Sequence, residues 1–89
     1  MRLTAHAEIR SQQRAIPPAL IEVIRAYGSP TPARRGSTRY MLDRHSIALA
    51  CEGDRRLSAR LERHRGTWLV AGPDDQVVTV GHQTLRFFN

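Results

Sequence analysis

With 89 residues the chain has room for one domain and one small core. Its 14 basic side chains, every one an arginine, outnumber 8 acidic ones, and a net charge of +6 points to an anionic partner: nucleic acid, an acidic protein or, less readily, a membrane surface. One cysteine excludes an internal disulfide, and no apolar stretch approaches the ~20 residues that cross a bilayer. No apolar segment follows Met1-Arg2 as a secretory signal requires, so the expectation is a soluble, cytoplasmic protein with no membrane partner.

Residues 4–14 read as a polar helix capped by Thr4, with Glu8 near the positive end of its dipole. Its apolar side is thin, drawn from Leu3, Ala7 and Ile9 with a contribution from Ala5. His6, Arg10 and Arg14 recur every four residues and therefore share one face. Ile16-Pro17-Pro18 ends this helix and opens a second over residues 18–27, where Leu20, Ile21, Val23, Ile24 and Tyr27 follow helical spacing. Gly28 is expected as its left-handed terminator. Residues 29–37, with Pro30, Pro32, Gly36 and the pair Arg34-Arg35, read as a loop.

Residues 38–43 predict a strand with Tyr40 and Leu42 on one side and Arg39 and Met41 on the other. Ala48, Leu49 and Ala50 favour a helix over residues 45–51, although a hairpin strand is the alternative. Cys51 ends this apolar run and reads as a buried, inert thiol. Asp54 can cap a further helix over residues 55–64, in which Leu57 and Leu61 share a face. Residues 67–71 and 76–80 predict a hairpin turning at Gly72-Pro73-Asp74-Asp75. The second strand is β-branched almost throughout, which suits a position flanked on both sides. Leu85, Phe87 and Phe88 form a last apolar patch.

Three short motifs occur in order: Thr4-Ala5-His6-Ala7 with Arg10, then Arg14-Ala15-Ile16-Pro17, then Val77-Val78-Thr79-Val80-Gly81-His82 with Arg86. In this order they resemble a family of small bacterial proteins related to RelE-type toxins, within the barnase/EndoU/colicin/RelE-like fold. The resemblance implies an α+β domain, with two N-terminal helices packed on a small antiparallel β-sheet. It also implies metal-independent RNA cleavage, with RNA and a cognate antitoxin as partners and no cofactor.

Such cleavage needs a group to take the 2′-hydroxyl proton, cations to hold the phosphorane, and an acid for the leaving 5′-oxygen. His82, directly after the closing strand, is the first candidate for proton transfer, and His6 the second. Arg86, Arg10 and Arg14 are candidates to hold phosphate by paired hydrogen bonds. Thr79 is a candidate donor to phosphate, and Tyr40 a candidate to reach a base. Four histidines and one cysteine match no zinc spacing. The same residues serve equally well as a non-catalytic surface for nucleic acid or an acidic protein.

Overall fold

Thr4 opens the first helix as expected: its hydroxyl accepts the Ala7 amide at 3.1 Å, and α1 runs Ala5–Gln13. A computed structural model describes residues 1–83 of the chain. Only Ala7 and Ser11 of α1 are buried, one turn apart, while Ile9 is 55% exposed. The expected contribution of Ile9 to the apolar side is therefore corrected. It sits about 200° around the helix from Ala7, two residues on at 100° each.

The second helix, α2, spans Pro18–Tyr27 and buries Leu20, Ile21 and Ile24. Its end differs from expectation, because Gly28 has φ −55 and is not left-handed. The glycine is needed for close approach instead: a Cβ there would stand 2.5 Å from the Ile24 carbonyl oxygen and 3.1 Å from the Tyr40 Cβ. The expected loop that follows is in part a strand, β2, over Ser29–Pro32, and then a single 3₁₀ turn over Arg34–Gly36. Proline two apart hides this strand from a sequence reading. Both missing N–H groups fall on one side of it, the outward side of a sheet edge, where none is required. The alternate amides face inward, and Ala33 continues the series by donating to the Ser37 carbonyl at 2.9 Å.

Strand β3 covers Thr38–Met41, shorter than expected because Asp43 is taken as the cap of α3, Arg44–Cys51. The Asp43 carboxylate accepts the Ser46 amide at 2.9 Å, and the Ser46 hydroxyl accepts the Asp43 amide at 2.8 Å. This reciprocal pair settles residues 44–51 as helix, with Cys51 buried. Asp54 caps α4, Arg55–Glu62, and β4 (Thr67–Ala71) and β5 (Gln76–His82) form the expected hairpin.

The sheet order is β1-β5-β4-β3-β2, where β1 is the two-residue strand Arg2–Leu3. Because β1 runs parallel to β5, the sheet is mixed, which corrects the expected antiparallel one. Two residues carry no alternation for a sequence reading to detect. The fold is α+β, as expected, and among the described residues the N-terminal pair of helices is joined on the five-stranded sheet by the two that the sequence places within residues 45–64. All four helices contribute to one core, through Ala7, Ile21, Ile47 and Leu61, against Leu69, Ala71, Val77 and Val80 of the sheet. Each fully buried leucine, isoleucine or valine side chain here is worth about 1.5–3 kcal/mol relative to exposure. No helix of the described residues is long and apolar enough to cross a membrane.

Candidate functional site

Helix α1 is pinned to β5 at both ends. At its start, the Thr4 amide donates to the Val77 carbonyl at 2.9 Å and the Thr4 hydroxyl to that of Val78 at 3.3 Å. At its end, Arg14 is the C-cap and Ala15 turns left-handed at φ 52. The Ile16 amide then reaches back to the Ser11 carbonyl at 2.8 Å, and the Ala15 amide to that of Gln12 at 3.2 Å. This paired closure leaves the Arg14 carbonyl without a partner on the helix itself.

His82 supplies that partner. Its Nε2 lies 3.0 Å from the Arg14 carbonyl oxygen and its Nδ1 lies 2.9 Å from Thr67 Oγ1. A carbonyl can only accept, so Nε2 carries a proton and donates. In the neutral ring Nδ1 must then accept from the Thr67 hydroxyl. Thr67 is 1% exposed and stands directly across from His82 in the β4–β5 ladder. Two motifs 68 residues apart are thus joined, but through the Arg14 backbone rather than through its guanidinium.

The basic row on α1, exposed at His6 and Arg14 and half-buried at Arg10, is reached differently. His6 lies in the first turn, near the Val78 end, about 12 Å along the axis from Arg14 for eight residues at 1.5 Å each. Arg10 stands midway and donates from Nη1 to Gln13 Oε1 at 3.5 Å. Arginine–carboxylate pairs among the described residues are Arg25–Asp75 and Arg65–Glu62, so neither Arg10 nor Arg14 has an acidic partner there. His6 is exposed, and its side chain makes no hydrogen bond among the described residues. The structure therefore brings His82 to Arg14, and sets His6 at the far end of the same row.

Thr79 and Tyr40 lie elsewhere. Thr79 pairs with Val70, whereas Thr67, Leu69, Val80 and His82 alternate to the helix-bearing side. Thr79 therefore points to the opposite face of the sheet, away from His82. That face also carries Arg39, paired with Val70, and Trp68, paired with Gly81 and Met41. The Arg39 guanidinium lies 5.3 Å from the Trp68 ring centre. Trp68 rests so close on Gly81 that a Cβ there would come within 2.6 Å of the ring. Tyr40 is on the helix side of β3, two strands from β5 and so about 10 Å across the sheet. Its ring lies under the Arg25 guanidinium, 4.7 Å from the ring centre, and Arg25 is bound to Asp75 at 2.5 Å. Arg86, with Leu85, Phe87 and Phe88, lies outside the described residues.

A sequence reading missed Thr67, a buried strand residue with no mark of its role, and the Arg14 carbonyl, which is common to every residue type. It paired His82 with Arg86 by spacing alone. No group of three or more His, Cys, Asp or Glu side chains among the described residues is placed to hold a metal ion. No family model, curated protein or solved structure matches this chain.

Proposed function

We propose that this chain is a small RNA-binding domain of the RelE-like kind that cleaves RNA without a metal, working from the exposed face of α1. The observation that carries the reading is the His6, Arg10 and Arg14 row, without acidic partners among the described residues, on a helix fixed at both ends to the sheet. A rigid row of this kind holds its charges in place before a strand arrives, so less ordering is needed on binding.

In this reading Arg10 and Arg14 grip backbone phosphates at neighbouring turns, about 6 Å apart along the helix. His6, the free imidazole, takes the proton from a ribose 2′-hydroxyl. The 2′-oxygen then forms a bond to phosphorus as the bond to the 5′-oxygen breaks. The products are a 2′,3′-cyclic phosphate and a 5′-hydroxyl, the latter protonated by the imidazolium or by water. His82, with both ring nitrogens committed within the fold, is a positioning residue that holds the Arg14 end of the row. The RelE-like reading also brings a cognate antitoxin as partner.

A specific observation favours a second reading, a non-catalytic module that binds nucleic acid through the same row. With His82 engaged, the α1 face offers one free imidazole where cleavage uses both a base and an acid. Cleavage of a labelled single-stranded RNA by the purified protein separates the two. His6→Ala is expected to abolish cleavage while keeping RNA affinity within about threefold. Cleavage unchanged in His6→Ala ends the assignment of His6, and intact RNA with the unmodified protein leaves the binding module.

A further inference from the structure

Helices α2 and α4 leave between them a cleft of about 260 Å³. Its floor is aliphatic, from Leu20 and Val23 of α2 and Leu57 and Leu61 of α4. Its rim carries Arg60, Arg63 and His64 and no carboxylate. Of the acids next to it in sequence, Glu62 pairs with Arg65 at 3.4 Å and Glu22 lines a different hollow with Arg25 and Asp75. Arg60 and Arg63 are exposed and have no acidic partner among the described residues.

We propose that this cleft is a docking groove for an acidic segment of another protein, one that presents aliphatic side chains to the floor and carboxylates to the rim. Charge complementarity selects the partner's sign. The floor selects its class, because a nucleic acid strand has no aliphatic side chain with which to fill it. A second copy of this chain would bring a net charge of +6 to a cationic rim. The lining runs from Leu57 to His64 on one side and from Pro17 to Val23 on the other, so a bound amphipathic helix can lie along it between two helices. The groove is separate from the α1 row, so the inference holds whether or not the protein cleaves RNA.

The test uses the full chain and a labelled helical peptide with leucine on one face and glutamate on the other. A control peptide keeps every glutamate but replaces leucine with serine. Fluorescence anisotropy is expected to show binding of the first peptide. Affinity should fall about tenfold or more for the serine control, for the Arg60→Glu/Arg63→Glu double variant, and for Ala19→Gln, which fills the groove from an exposed position of α2 without touching the core. Equal binding of the serine control would reduce the site to bulk charge and overturn the proposal. So would loss-free binding in both variants. A short single-stranded RNA that displaces the peptide and is itself weakened by the double variant would make the cleft a nucleic-acid surface instead. Self-association abolished by Ala19→Gln would make it a dimer interface.

Discussion

The imidazole of His82 shows how much a single residue's role depends on what its two nitrogens meet. With the Arg14 carbonyl on one side and the Thr67 hydroxyl on the other, it fastens α1 to the end of β5. His82→Ala is expected to cost about 1–3 kcal/mol, since it strands a buried hydroxyl and a helix-terminal carbonyl together. Hydrogen exchange should then quicken in the last turn of α1 before the rest of the helix, and equal protection there would remove this role. One residue along the chain, Ala15 holds φ 52 with a Cβ that disfavours that conformation. Ala15→Gly should raise stability by about 0.5 kcal/mol, the relief of strain less the added freedom of the unfolded chain. Thermal denaturation should register a gain of roughly 2–4 °C. None of this was legible beforehand. Neither a backbone acceptor nor a left-handed alanine leaves a signature in sequence.

Among the elements, those with caps and periodicity were legible: α1 from Thr4, α2 from its aliphatic spacing, α4 from Asp54, and the β4–β5 hairpin from its turn. Those that depend on a neighbour were not. Strand β1 is two residues long, and β2 carries two prolines that only an edge position tolerates. The start of α3 offers the clearest pH prediction. Partial burial raises the Asp43 carboxyl, but the Ser46 amide, the Ser29 and Ser46 hydroxyls and the charge of His45 outweigh it and hold the group below its ordinary value of 3.8. A folded value below the unfolded one stabilises the protein above that pH, and the benefit disappears as pH falls through the folded value. Asp43→Asn keeps a capping side chain but removes the charge. The variant should therefore be less stable at pH 7, and the difference should close only as pH falls below 3.8 through the lowered folded value, where both carry a neutral cap. A constant difference across the acid range, followed by urea denaturation, would contradict this.

Across the described molecule, topology separates the candidate surfaces. The α1 row lies on one side, the Thr79, Arg39 and Trp68 face on the other, and Tyr40 at a third location. The resemblance grouped His6, Arg10, Arg14, His82, Thr79 and Tyr40 as one set of candidates; strand alternation and register set Thr79 and Tyr40 apart. The binding reading makes a collective prediction. If Arg10 and Arg14 each hold a phosphate, replacing either with alanine should weaken RNA binding similarly across sequences. Each should also reduce the slope of log affinity against log salt by about 0.7–1. An unchanged slope would place the phosphate contacts elsewhere on the +6 surface.

Strand β1 has one more consequence, for how the chain is made. Among the described residues its one partner in the sheet is β5, with Arg2 opposite Gln76 and Leu3 opposite Val77, so the two halves of one ladder stand far apart in sequence. Residues 2 and 3 therefore leave the ribosome long before residues 76 and 77, and must wait for them. Until β5 emerges, Leu3 and the inner side of α1 have no surface to cover them, and the helix must await both of its anchors. Closing so long a loop is entropically costly and slow. A translation pause before residue 76 should hold the nascent chain open and sensitive to protease, and release should bring protection in a single late step.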